Sequence, residues 1–251
     1  MDEIECSPGL PTTMDPLGKG DIVIPRGILG YAAGANAFWD GLNNVSIGTY
    51  DKTARTWADL SGNGYTISGI NAAQWDELGG INGAVISQPQ CAASPFTAQF
   101  SVELVFRREN AAKSCWWVSN RYPWNTAQTR GMQLGQYGST AMNFAVIYGN
   151  SILVEIPVIS SDRTSGTIVI TYDGATLASH VSGEQAGVAS IQIPQDCLAS
   201  SPLLVGYAAN GSFYLPNADW KIHALRIYDR VLTSSEVSAN YLLDKQRYAI
   251  E

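Results

Sequence analysis

The chain has 251 residues, enough for one large domain with a sizeable core. Only 15% of them are charged while 10% are aromatic, the reverse of the balance that keeps a chain disordered. The formal net charge is −7 and Arg107-Arg108 is the one adjacent basic pair, which argues against a nucleic-acid backbone as partner, because phosphate binding needs clustered Lys and Arg.

Residues 1–30 differ from the rest. Pro8, Pro11, Pro16 and Pro25 remove backbone donors and fix φ, so this segment is expected to run extended, as an arm ahead of a domain over residues 31–251. Its apolar clusters, Ile22-Val23-Ile24 and Ile28-Leu29, suit a strap lying along a neighbouring subunit better than a solvated tail. After Met1 come Asp2, Glu3 and Glu5, with neither the basic nor the apolar region of a secretory leader. No stretch is apolar enough to span a bilayer as a helix; the long uncharged run between Arg130 and Glu155 is broken by Gly, Gln, Asn and Ser.

From there the chain reads as strands and turns. Residues 38–69, FWDGLNNVSIGTYDKTARTWADLSGNGYTISG, hold a strand and two turn clusters. FSVELVFRRE (100–109) is a strand of mixed apolar and charged positions. CWWVSNRYPWN (115–125) places Trp116 and Trp117 on opposite faces of a strand, then enters a turn at Pro123. Two strands follow within residues 166–187, joined at Asp173-Gly174, where Gly supplies positive φ at no steric cost. A last strand, Ile222–Tyr228, runs into T-S-S-E at 233–236. There the Thr233 hydroxyl caps a helix that begins near Ser234, with Glu236 reaching back to the Thr233 amide. Val237, Tyr241 and Leu242 form the apolar stripe expected to face a sheet.

Four of these segments in this order resemble the laminin-G-like, concanavalin A-like jelly rolls in their bacterial and phage branch. They are the D-G-x-N-N and W-x-D-L-S-G-N-G opening, the FSVELVF strand, the ITYDG…VSGE hairpin, and the LRIYDRVLTSSEV strand and helix. The resemblance implies an all-β, two-sheet antiparallel jelly-roll sandwich with one short C-terminal helix. It does not by itself imply an activity, since this fold carries lectins, hydrolase appendages and virion proteins.

The catalytic templates fail. Glucanases of this fold use carboxylates at alternate positions of one strand, and Glu103 has no acidic residue at i+2, while Asp76 and Glu77 are adjacent. No G-x-S-x-G occurs, and His180 and His223 lack metal spacing, so no catalytic residue and no metal site is assigned. No cofactor is expected. Asp59 and Asn63 in DLSGNG are the candidate oxygen donors for calcium, although a tight turn asks for the same residue types. Cys6, Cys91, Cys115 and Cys197 are scattered and read as free thiols, with Cys115 beside two tryptophans as a buried one.

Sugar recognition pairs an aromatic platform with planar hydrogen-bonding side chains. The residues offering this are Trp117, Tyr122, Trp124 and Asn125. The expectation is therefore a non-catalytic virion component, a decoration or fibre-like protein assembled in a host cytoplasm. It would join other virion or surface-assembly subunits through the arm and bind host or mucosal glycans. A carbohydrate-binding or surface module of a secreted bacterial protein is the alternative, and a glycoside hydrolase the third reading.

Overall fold

The structure is a computed structural model, which describes residues 27–71, 75–82, 89–108, 115–120, 129–136, 142–149, 151–159, 163–199, 202–206 and 220–251. The expected arm falls almost entirely on residues 1–26, outside the described residues. Residues 27–30 already join the body: Ile28–Gly30 is a short 3-10 turn, and the next residues, Tyr31 and Ala32, are buried.

Among the described residues fifteen strands follow in chain order. They are β1 (Ala35–Asp40), β2 (Thr56–Trp57), β3 (Ile67–Ser68), β4 (Ile81–Asn82), β5 (Gln90–Cys91), β6 (Phe100–Arg108), β7 (Cys115–Ser119) and β8 (Arg130–Gln136). After them come β9 (Met142–Tyr148), β10 (Ser151–Ile159), β11 (Ser165–Tyr172), β12 (Thr176–Val181), β13 (Glu184–Ser190), β14 (Leu203–Val205) and β15 (Trp220–Tyr228). One turn of helix, α1 (Gln195–Leu198), precedes β14, and α2 (Ser234–Tyr248) closes the chain. The first sheet has the order β1-β15-β6-β11-β12-β13, with β4 pairing β15 beyond the end of β1; the second runs β10-β9-β8-β7-β14-β5-β3-β2. The described pairings are antiparallel, and the two sheets face each other across one apolar core, as the sequence predicts for a jelly roll.

Each sheet's inner face follows from alternation. In β6, Val102, Leu104 and Phe106 point into the core, while Ser101, Glu103 and Val105 point outward. In β15 the parity switches midway: Trp220 and Ile222 face inward, and then Leu225 and Ile227 do. The cause is a bulge between Ile222 and Ala224 in the pairing with β6, which inserts His223 as an extra residue.

The outward face of β6 and β15 is buried as well, because α2 lies in the same outer layer. The capping box forms as read from T-S-S-E: the Thr233 Oγ1 accepts from the Glu236 N–H at 3.3 Å, and the Thr233 N–H donates to Glu236 Oε2 at 2.9 Å. The expected apolar stripe is corrected. Val237 is buried, but Tyr241 is half-buried and Leu242 is 43% exposed. The buried face is instead Val237, Asn240, Asp244 and Tyr248, and its middle is polar because it meets outward-pointing charges of the sheet. Trp57 is a core residue, meeting Trp75 edge-on at 5.6 Å. Cys91 and Cys197 are buried free thiols, whereas Cys6 and the Cys115 side chain lie outside the described residues.

Candidate carbohydrate-contact site

Of the four candidate sugar-binding residues, Trp117 is placed and is corrected. Its ring is wholly buried, 4.6 Å from Phe106 and 6.2 Å from Trp220, so it is part of the core and offers no face to a sugar. Tyr122, Trp124 and Asn125 lie outside the described residues.

The flanks of their segment are placed. The Asn120 Oδ1 accepts from the Met132 N–H at 2.6 Å, and its Nδ2 donates to the Cys197 carbonyl at 2.9 Å. On the return side the Thr129 carbonyl accepts from the Gly149 N–H at 2.7 Å. The connection therefore leaves and re-enters the sandwich at one pole, beside the β9–β10 hairpin and α1.

Three side chains from separate elements meet at that pole. Arg130 opens β8 and stands directly across from Tyr148 at the end of β9. Both have the parity of the core positions Met132, Leu134, Phe144 and Val146, so they continue the inner faces outward to the rim. Arg130 forms an ion pair with Asp196 of α1, and each side chain of that pair is about 40% exposed. Tyr148 is 44% exposed, and Gln195 beside Asp196 is exposed too. An aromatic face, a guanidinium and a carboxylate thus share one rim, the combination that serves the apolar face and the hydroxyls of a sugar ring. The sequence reading missed this group. Its members are far apart in the chain, and no local motif joins them.

A buried ionic cluster lies elsewhere, under α2. Arg226 is wholly buried and grips Asp244 with two hydrogen bonds, 2.9 and 2.7 Å. Its guanidinium lies 3.6 Å from the centre of the Tyr31 ring and 5.1 Å from that of Phe38. Glu103 Oε2 stands 3.2 Å from Arg226 and accepts from Asn240 Nδ2 at 3.0 Å and the Tyr228 hydroxyl at 3.2 Å. Burial pushes the Glu103 carboxyl up to about 7; Arg226 pulls it down and Asp244 opposes that pull. A raised glutamate beside a second carboxylate mimics a catalytic pair. Here both are 0% exposed beneath the helix, so the pair clamps α2 to the sheet. A second clamp holds the end of α2, where Asp40 accepts from Arg247 at 2.9 Å and from the Tyr248 hydroxyl at 2.6 Å.

Asp59, the calcium candidate, has both oxygens engaged as acceptors. Oδ1 takes the N–H groups of Phe38 and Ser61, and Oδ2 takes the Ser61 hydroxyl and the Tyr65 N–H, at 2.8–3.0 Å. That arrangement is a turn clamp, since a cation would have to displace these donors. His223 Nδ1 meets the Leu78 carbonyl at 3.2 Å, its Nε2 is buried with no hydrogen-bond partner among the described residues, and burial lowers its pKa.

A two-sheet antiparallel sandwich with a helix clamped on one outer face defines the lectin-like class of β-proteins. The family model described as the concanavalin A-like lectin/glucanases superfamily matches residues 79–238, more than half of the chain, and the protein belongs to that family. By sequence, no curated protein matches. Among solved structures, a Trypanosoma rangeli sialidase in complex with 2,3-difluoro-KDN is similar with a TM-score of 0.61, at 14% identity over 91% of this chain and 36% of that one. The same sialidase in complex with sialic acid gives 0.58, at 14% identity over 86% and 34%. The binding domain of Paraclostridial Mosquitocidal Protein 1 gives 0.54, at 13% identity over 83% and 52%. The chain thus spans about a third of the sialidase and about half of the toxin domain. At these identities the likeness is one of fold.

Proposed function

We propose that the protein is a non-catalytic glycan-recognition sandwich, and that the rim formed by Tyr148, Arg130 and Asp196 is where sugar docks. The observation that carries this reading is the exposed Tyr148 ring beside the half-exposed Arg130–Asp196 pair. Tyr148 supplies a stacking face, Arg130 donates to ring oxygens or acidic substituents, and Asp196 accepts from hydroxyls. The non-catalytic part rests on Glu103 and Asp244, a carboxylate pair that substrate cannot reach. Similarity to a sialidase that binds sialic acid and to a toxin binding domain supports a role in recognition.

The setting we favour is a displayed virion protein, a decoration or fibre-like component carrying this sandwich; a bacterial surface module is the alternative. The Pro-rich, apolar amino-terminal segment and the acidic net charge support display, because such a surface avoids adsorbing to nucleic acid. A glycan array that includes sialylated and bacterial-surface oligosaccharides tests the binding reading, and binding to at least one class is expected. Silence across the array removes the glycan role. Release of sugar from any bound polysaccharide by the purified protein overturns the non-catalytic claim.

A further inference from the structure

The charges at the α1 pole set a condition on what kind of sugar its rim can hold. Arg130 and Asp196 are half-exposed and joined as an ion pair, so the guanidinium already faces a carboxylate of the protein itself. Arg130 stands across from Tyr148, and Asp196 lies in the single turn of α1. Cys197, the next residue, is buried, and its carbonyl accepts from Asn120, which fixes the backbone under Asp196 to the sandwich.

A second carboxylate adds in the same sense. The last residue of β13, Ser190, pairs with Thr176, and the Ile191 N–H donates to the Ala175 carbonyl. The chain therefore runs to α1 from beside the β11–β12 turn, where Asp173 is exposed. The Ala175 and Thr176 N–H groups donate to Asp173 and hold its carboxyl below the ordinary range, so it stays ionised.

What the pair can hold follows from its hydrogen bonding. A guanidinium only donates and an ionised carboxylate only accepts, so together they present a donor edge beside an acceptor edge. Two adjacent sugar hydroxyls, each able to donate or accept, match both edges, while the Tyr148 ring covers the apolar face of the same sugar. A ligand carboxylate offers acceptors alone. It reaches Arg130 only by displacing Asp196 or by lying against it, like charge to like charge. We propose, on the reading that sugar docks at this rim, that the site takes uncharged sugars through a vicinal diol laid across Arg130 and Asp196. Sugars that carry a carboxylate are turned away, and Asp196 sets that choice. The sialidase bound to sialic acid resembles this chain in fold alone, at 14% identity, so its acidic ligand does not carry over.

The test titrates the full chain with matched probes: lactose against sialyllactose, and galactan, mannan and glucan oligosaccharides against the corresponding oligouronates. In each pair that binds, the neutral member should bind about tenfold more tightly, with an affinity nearly constant from about 0.05 to 0.5 M salt. Asp196→Asn keeps the shape and removes the charge, so it should narrow the neutral-to-acidic ratio about fivefold at an unchanged melting temperature. The salt series on the natural chain needs no variant. Acidic members that bind as tightly as neutral ones, or a ratio unmoved in Asp196→Asn, would overturn the proposal. If Tyr148→Ala abolishes binding in that case, the rim remains the sugar site and only its selectivity has been misread. If no probe binds, or Tyr148→Ala binds every probe in full, the rim is not the sugar site and the proposal falls with it.

Discussion

Arg226 on β15 and Asp244 on α2 form a two-pronged ion pair with both side chains wholly buried, at 2.7 and 2.9 Å. The pair joins the closing strand to the helix that follows it, and Tyr31 donates its hydroxyl to the same Asp244 at 2.7 Å. Removing Asp244 leaves the buried Arg226 without its two-pronged partner and with Glu103 at 3.2 Å as its remaining carboxylate among the described residues. Asp244→Ala should therefore cost about 3–5 kcal/mol in denaturant unfolding. The double change Arg226→Met/Asp244→Leu should recover part of that loss. If Asp244→Ala costs less than about 1 kcal/mol, the clamp is not what holds the helix.

Stability should depend on pH in two opposing ways. The Glu103 carboxyl is raised by burial to about 7 from an ordinary 4.5, so the folded state holds a proton that the unfolded state releases, and stability is lost as pH rises from 4.5 through 7. The His223 pKa is lowered by burial from 6.5, so stability is lost as pH falls below that value. Thermal melting against pH should flatten on its alkaline side in Glu103→Gln and on its acid side in His223→Gln. An unchanged alkaline limb in Glu103→Gln would assign that limb to another group.

Thr233→Ala removes the hydroxyl that accepts from the Glu236 N–H, and the expected cost is about 1 kcal/mol. Glu236 also holds Arg230, at 2.6 Å and 2.9 Å, so Glu236→Ala should cost more than Thr233→Ala. Equal losses in urea titrations would mean that the Arg230 contact contributes nothing.

Gly41 sits against the backbone of the 76–80 turn: a Cβ placed on it would stand 1.8 Å from the Gly79 carbonyl oxygen. That backbone cannot yield as a flexible side chain would. Gly41→Ala should destabilise by more than about 2 kcal/mol, against about 1 kcal/mol for Gly48→Ser, where space is open and the cost is that of the positive φ of 79°. Comparable melting temperatures for the two variants would show that the turn can move away.

Tyr148→Ala should weaken any glycan binding about tenfold, as expected for one lost stacking face, and leave the melting temperature nearly unaltered because the ring is 44% exposed. Tyr148→Phe should retain most of the affinity. Full binding by Tyr148→Ala would move the sugar site away from this rim.

What the sequence determined by itself was local. The Asp173-Gly174 hairpin, the T-S-S-E cap and the strand character of residues 100–108 each follow from contacts within a few residues of chain, and together with the order of motifs they announce the sandwich. The tertiary structure alone decided what faces what. The bulge at His223 reverses the parity of β15, so alternation could not say that Arg226 would lie under the helix beside Glu103. The hydrophobic pattern of α2 pointed to Leu242, because a buried Asp244 announces itself only through partners on other strands. Trp117 had the composition of a sugar platform, but a ring's exposure depends on what packs over it, and here Phe106 and Trp220 do. Arg130, Tyr148 and Asp196 meet only because three distant segments end at one pole of the sandwich, a coincidence in space that no window of sequence contains.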